Sequence, residues 1–151
     1  MASGVTNRGK FNMVAAYLRG ATVAAQFKMA LVTGANVPTV DTNVLSDLTE
    51  IAAGNGYTAG GAIVEKSAVG FDVVTEDDGT NMAYIQTKDI VWNASGGPIP
   101  ASGGAAAYAI LYEDNANKDI VAFFDLTGDR QVSDGQEFRV QNNQVNLETP
   151  A

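Results

Sequence analysis

The residues that most resemble a chemical site are four glycines in the stretch LTEIAAGNGYTAGGAIV, residues 48–64. Glycine-rich loops cradle phosphate when they follow a buried strand and open a helix, or when a lysine completes a P-loop. Here Gly54, Gly56, Gly60 and Gly61 have the spacing G-x-G-x-x-x-G-G, no P-loop lysine follows, and the next residues, AIVEK, have a strand pattern. We therefore predict a turn, in which the last two glycines let a neighbouring strand approach closely.

Carboxylate and amide side chains gather at three places whose oxygen atoms are suited to Ca²⁺. None of the three has the spacing of an EF-hand loop with its terminal glutamate. Asp and Asn also collect in turns because they hydrogen-bond their own backbone. We predict turns at these places, with no metal and no cofactor. The clusters are Glu76–Asp78 with Asn81, Asp114–Asp119, and Asp125 with Asp129 and Asp134.

Catalytic chemistry has few candidate groups in this chain. The sequence contains no Cys and no His, which removes thiolate nucleophiles, zinc fingers and imidazole acid–base catalysis. A serine nucleophile would need Lys or a carboxylate as its base, and no G-x-S-x-G elbow occurs. A glycosidase needs two carboxyl groups facing each other in a cleft, whereas most acids here fall in predicted turns. We predict that the protein is not an enzyme and has no catalytic residue.

Six aromatic residues fall on predicted strands, where two functions compete. Packing in the core is the first interpretation, because aromatic side chains pack well across sheets. A carbohydrate-binding platform is the alternative, and it would need several of these rings exposed on one face. Tyr108 and Tyr112 share strand parity, which fits either function. The six are Tyr84, Trp92, Tyr108, Tyr112, Phe123 and Phe124.

The elements that carry these residues begin with one amphipathic helix. Residues 1–10 are polar, so we expect them to be loose or held only by a partner. Lys10–Arg19 has a helical pattern, with Phe11, Val14, Ala15 and Leu18 on one stripe, and Gly20 is placed to end the helix. After the loop Thr33–Thr42, Asp41 or Thr42 is predicted to cap a short helical turn that runs to Leu48.

The remainder of the chain reads as short strands separated by turn-forming residues. Asp78-Gly79 within Glu76–Asn81 signals a hairpin, and Ser95–Gly104 is a Gly/Pro loop. Turns every 8–12 residues favour an antiparallel β-sandwich, jelly-roll-like or barrel-like. We predict a single domain, with an arm and helix in residues 1–19 and the β-sandwich in residues 20–151. The predicted strands are Gln26–Val32, Ala62–Lys66, Val69–Thr75, Met82–Gln86, Asp89–Asn93, Ala106–Glu113, Asp119–Leu126, Glu137–Gln141 and Gln144–Glu148.

The composition argues against two classes of binding partner. The 151 residues are 46% hydrophobic, enough for a substantial core, and the net charge is -8 with a pI near 4.3. An acidic surface repels nucleic acid and anionic lipid, so we predict that neither is a partner. The first residues contain no apolar stretch of the kind found in signal peptides, and no run of about 18 apolar residues occurs.

Four segments in a fixed order suggest a family. Together with the start FNMVAAYLRG…QFKMALVT, the sequence resembles small virion structural proteins of tailed bacteriophages. The similarity extends over roughly residues 10–148 and contains no catalytic motif. The segments are DLTEIAAGNGYTAGG (47–61), DVVTEDD (72–78), DIVWNASGGPIPASGGAAAYAILYEDN (89–115) and DLTGDRQVSDGQEFRV (125–140).

This resemblance implies a protein made in the host bacterial cytoplasm that becomes part of the virion. It implies a capsid decoration or cement protein on the outside of the head, where homotrimers contact the major capsid protein and brace the shell against internal DNA pressure. A tail or neck component, and a receptor- or glycan-binding module, are the alternatives.

The N-terminal helix is the predicted contact element, because it is the only amphipathic helix that precedes an otherwise β chain. We expect Phe11, Val14, Tyr17 and Leu18 to be its anchors. The competing interpretation is a helix that simply packs on the end of the β body. The loop Ser95–Gly104 is a second candidate contact.

Overall fold

The computed structural model describes residues 3–148, which form a mainly β fold with one N-terminal α-helix and antiparallel sheets. This confirms the predicted mainly β class and the position of the helix. The elements are β1 (Gly4–Val5), α1 (Asn7–Arg19), β2 (Phe27–Val32), a 3-10 turn (Leu45–Asp47), β3 (Ala62–Val64), β4 (Phe71–Asp77), β5 (Met82–Thr87), β6 (Ile90–Asn93), β7 (Ala106–Glu113), β8 (Ile120–Arg130), β9 (Glu137–Val140) and β10 (Gln144–Glu148).

The strands assemble into three sheets. A five-stranded sheet has the order β1-β8-β7-β2-β3, a three-stranded sheet the order β10-β5-β4, and β6 pairs with β9. All of these pairings are antiparallel. The β4–β5 hairpin turns at the predicted Asp78-Gly79, with Asp77 paired to Met82.

The five-stranded sheet is buried on both of its faces at its centre. On β2, Met29 and Leu31 belong to one apolar cluster, whereas Ala30 and Val32 belong to a second one. Leu45 and Leu48, around the 3-10 turn, cover the second face. The alternation of side chains along β2 therefore does not separate a buried face from a solvated one, because a loop covers the other side.

One aromatic contact joins two of the sheets, and two others lie around Trp92. Phe27 on β2 meets Phe71 on β4 edge to face, with ring centroids 5.6 Å apart. Trp92 on β6 lies 5.6 Å from the ring of Tyr57 and 6.2 Å from that of Phe138 on β9. Such aromatic pairs stabilise the fold by more than the apolar area that they bury would account for. One core cluster contains residues from all three sheets.

The prediction for the N-terminal segment was wrong in two respects. The helix begins at Asn7 instead of Lys10, because the Thr6 hydroxyl caps it by accepting the Gly9 N–H at 2.9 Å. The segment before it is not loose, since Gly4 and Val5 pair with β8. Residues 1–2 lie outside the described part of the chain. The predicted end is confirmed, because Gly20 has a φ of 67° and closes the helix.

Two local predictions also fail. Neither Asp41 nor Thr42 caps the 3-10 turn; Asp47 instead accepts the N–H groups of Asn43 and Val44. The predicted strand Ala62–Lys66 ends at Val64, because the chain then turns, with the Ser67 N–H bonded to the Glu65 carbonyl.

The strand β8 is longer than predicted. It continues to Arg130 through residues that read as a turn, Thr127 and Gly128. Their positive φ angles, 58° and 110°, lie within a strand whose register against β7 shifts between Ala106 and Tyr108. The turn-forming residues therefore shape an irregularity in the strand and do not end it.

Candidate interaction surface on the N-terminal helix

One side of the helix α1, which we call its underside, packs on the five-stranded sheet. Thr6 is fully buried, and its hydroxyl both caps the helix and contacts the carbonyl of Ile120. Three residues later, Gly9 lies directly against the backbone of Val121 on β8. Close packing of backbone on backbone needs a residue without a side chain, so Gly9 sets how near the helix sits.

Polar anchors hold the same underside. Arg8 pairs with Asp119 at 3.1 Å. The Asn12 amide donates to the carboxylate of Glu113 and, at 3.3 Å, to Asp119 Oδ2. Glu113 and Asp119 are each only 6% exposed, so these charge-assisted bonds compensate the burial of two carboxylates.

The opposite side of α1 is apolar and open to solvent. Phe11 is 68% exposed, Val14 57%, Tyr17 90% and Leu18 71%. We call these four residues the outer face of α1. They are the predicted anchors, and the structure brings all four to one exposed surface. The helix also packs on the sheet through Gly9, Asn12 and Met13, which is what the competing interpretation expects.

Charge is unevenly divided between the helix and the rest of the chain. The α1 segment NRGKFNMVAAYLR contains three basic residues, Arg8, Lys10 and Arg19, and no acidic residue. The remaining positions hold the other six basic residues of nine and all 17 acidic ones, so a helix of charge +3 sits on a body of charge -11. The outer face is therefore an apolar surface with basic edges on an acidic protein.

A cleft of about 410 Å³ opens beside α1 and separates the five-stranded from the three-stranded sheet. Met13 of the helix forms part of one wall. Val23 and Val74, 39% and 75% exposed, stand at its solvent side. No sequence signal indicated this cleft, because its walls come from strands far apart in the chain. Its other apolar lining residues are Phe27, Ala68, Phe71, Ile85, Leu111, Val121 and Val145.

The glycine segment is a turn, as predicted, and the N–H groups of three of its four glycines are hydrogen-bonded within the chain. The N–H of Gly54 donates to Tyr57, that of Gly61 to Thr58, and that of Gly60 to Glu50 Oε1 at 2.6 Å. A carboxylate thus occupies the position that an anion would need. The predicted close approach is also present, since a Cβ on Gly61 would lie 1.8 Å from the Met29 carbonyl oxygen.

Hydrogen bonds of the Tyr57 and Tyr112 hydroxyl groups connect this turn to the sheet. The sequence did not predict these two roles. The Tyr57 hydroxyl accepts the Leu31 N–H at 2.9 Å and donates to Glu50 at 2.7 Å. The Tyr112 hydroxyl donates to the Gly60 carbonyl at 2.6 Å. Burial raises the pKa of Tyr112 to about 12, and burial together with the hydrogen bond to Glu50 raises the pKa of Tyr57 as well.

The acidic clusters act as turn and strand-end contacts. Asp77 accepts the N–H groups of Gly79 and Thr80, and hydrogen bonding to Thr80 lowers its pKa. Gln26 and Lys28 lower the pKa of Asp114. Within residues 3–148, no three His, Cys, Asp or Glu side chains converge as metal ligands would.

The strand aromatics are core residues, as the first interpretation predicted. Trp92, Tyr108, Tyr112, Phe123 and Phe124 are all less than 9% exposed, and Tyr84 is partly buried. The aromatic residues that are well exposed are instead Phe11 and Tyr17 on the helix.

The loop Ser95–Gly104, the second candidate contact, is anchored at its centre. Ile99 is fully buried and exchanges backbone hydrogen bonds with Val132. Its exposed residues are Pro98 and the two ends, Ser95–Gly96 and Ser102–Gly104.

Comparison of the sequence with models of protein families and with curated proteins finds no match. Among the described residues, no helix has the length and apolar character needed to cross a bilayer.

Proposed function

We propose that this protein is a structural protein of a tailed-phage virion, a capsid decoration or cement protein that binds the outside of the head. The observation that carries the proposal is the exposed outer face of α1, held rigidly on a β body. The resemblance of four sequence segments to small virion proteins supports the same function.

The way in which α1 is fixed to the sheet suits its outer face to bind a partner. Because Thr6, Gly9 and Asn12 fix α1 from below, the outer face is already ordered before a partner arrives, and binding loses little conformational entropy. Burial of its four side chains contributes about 25 cal/mol per Å² of apolar area before the costs of association. The proposed partners are the major capsid protein and further copies of this chain in a homotrimer.

The finer architecture belongs to the same proposal. We propose that the five-stranded and three-stranded sheets form a β-sandwich, jelly-roll-like or barrel-like in connectivity. In support, residues of both sheets line the cleft and share one core cluster. A rigid two-layer body suits a protein that braces a shell by contact and performs no catalytic turnover.

An electron-microscopy map of the intact particle tests the location. We expect density for this fold on the outer surface of the head, at the junctions of capsomers, with α1 against a neighbouring chain. Density in the neck or tail would replace the decoration function with the tail-component alternative.

Binding to undecorated heads tests the contact residues. The double variant Tyr17→Ser, Leu18→Ser removes apolar area without touching the underside of α1, so it should fold normally and bind heads at least tenfold more weakly. Ile63→Ser, at a 55% exposed apolar position on β3, is the matched control and should bind as wild type does. Unchanged binding by the folded double variant would remove the outer face from the contact.

A further inference from the structure

The three-stranded sheet leaves part of one face uncovered. Val74 on β4 pairs with Ile85, which pairs with Val145, and this row faces the cleft. Residues two positions along a strand share a face, so the next row lies on the same side. That row is exposed, with Leu147 at 44%. We call the exposed members the open sheet face: Val74, Glu76, Ala83 and Leu147.

The charge around this face is the opposite of the charge on α1. Residues 71–87 and 144–148, which comprise the three-stranded sheet and its hairpin turn, contain no Lys or Arg. They contain five carboxylates: Asp72, Glu76, Asp77, Asp78 and Glu148. The helix contains three basic residues and no acid. The molecule therefore has two apolar surfaces of opposite charge: the outer face of α1 has basic residues around it, and the open sheet face has acidic residues around it.

The outer face of α1 is large enough for a specific contact. Taking 150–250 Å² for a large aromatic side chain and less for Val and Leu, the outer face of α1 presents roughly 500 Å². Covering it with a sheet surface of similar size removes about 1,000 Å² from solvent, the lower bound for a biological interface. Helix-on-sheet packing is also the common way to bury these two kinds of apolar face.

We infer that the outer face of α1 in one copy docks on the open sheet face of a second copy. This rests on the proposed function for its setting, since a ring of copies is what would brace a shell, but it can be tested without a particle. Pairing of two α1 helices is disfavoured, because it would bring together two surfaces that each carry Lys10 and Arg19, whereas Arg8 is paired with Asp119 on the underside. Because the two docking surfaces differ, the contact is heterologous, and it closes into a ring when the rotation between neighbouring copies divides a full turn.

Charge reversal tests the contact in solution by analytical ultracentrifugation of the purified full chain. Reversal on the helix, Lys10→Glu with Arg19→Glu, or on the sheet, Asp72→Lys with Glu76→Lys, should each raise the dissociation constant of the oligomer roughly tenfold. All four positions are exposed, so folding should be retained. The four substitutions combined restore opposite charges across the contact and should recover most of the association.

Cross-linking identifies the partner surfaces, because the chain has no native cysteine. A chain with Leu18→Cys and Val74→Cys should form intermolecular disulfides on oxidation, whereas either single variant should not. Cross-linking by Leu18→Cys alone would show helix pairing and overturn the inference. A wild-type chain that stays monomeric at high concentration would also overturn it. In that case, weaker head binding by the Tyr17, Leu18 double variant would still support the proposed function, with the capsid protein as the occupant of α1.

Discussion

Gly9 in the first turn of α1 lies against Val121 of β8, and a Cβ added to Gly9 would stand 2.6 Å from the Val121 carbonyl oxygen. This one contact sets the distance between the helix and the sheet. Because the opposing atoms belong to the backbone of a central strand, they cannot move aside as the end of a side chain could.

Gly9→Ala should therefore lower the free energy of unfolding by about 2 kcal/mol, even though alanine favours helix more than glycine does. Urea denaturation measures the change. Gly34→Ala is the control, because a Cβ there would meet only the Ala107 side chain at an ordinary 3.6 Å. A stability equal to wild type in Gly9→Ala would show that the helix can shift without cost.

Tyr57→Phe should lower the free energy of unfolding by about 1–3 kcal/mol. The substitution leaves the buried Leu31 N–H without its acceptor and removes the donor to Glu50. Tyr84→Phe serves as the comparison, since the partly buried Tyr84 hydroxyl has no hydrogen bond to any residue in the 3–148 range, and it should change stability by less than about 0.5 kcal/mol. Equal effects of the two variants would contradict a structural role for the Tyr57 hydroxyl.

Alkaline pH should destabilise the fold through Tyr57 and Tyr112. Both have a pKa raised above the ordinary 10.0, that of Tyr112 to about 12, so the unfolded chain releases these protons at lower pH than the folded chain. The stabilisation is complete below pH 10 and is lost as pH rises from 10 toward 12. Urea unfolding at a series of pH values measures it, and Tyr112→Phe should flatten the decline. A stability independent of pH in this range would refute the assignment.

Gly61→Ala should be far more damaging than Gly103→Ala, although both glycines have a left-handed φ, 79° and 70°. A Cβ at Gly61 would lie 1.8 Å from the Met29 carbonyl oxygen, whereas at Gly103 nothing lies within 4 Å. Gly103→Ala should cost about 1 kcal/mol of backbone strain, and Gly61→Ala several kcal/mol, because β2 and the turn must separate. Thermal unfolding of the two variants compares them directly, and similar melting temperatures would count against the close approach.

Much of the fold could be predicted because the relevant signals are local. The strand Ala106–Glu113 and the strand Gln144–Glu148 were predicted with their observed bounds. The Asp78-Gly79 hairpin and the helix end at Gly20 depend on residues whose own backbone preferences fix the conformation. Such choices need no knowledge of distant parts of the chain.

The errors occur where distant residues override local preference. Thr127 and Gly128 read as a turn, but Asp125 before them and Arg130 after them both pair with β7, so the strand continues across them. Ala30 is buried by the segment around Leu45, and no residue pattern within β2 indicates that cover. A better use of one local signal was possible, since Thr6 has the residue type of a helix cap, and it would have placed the helix start correctly.

The sequence by itself determined that the chain is mainly β, that a helix precedes the strands, and that this helix has an apolar stripe, because periodicity and turn chemistry are written in neighbouring residues. Tertiary structure alone decided which way that stripe points. Gly9 and Asn12 turn the opposite side of α1 to the sheet, through contacts with Val121 and Glu113 more than 100 positions away, and the apolar stripe is left facing solvent. The direction in which a helix faces depends on the surface that receives it, and that surface exists only once the strands have paired.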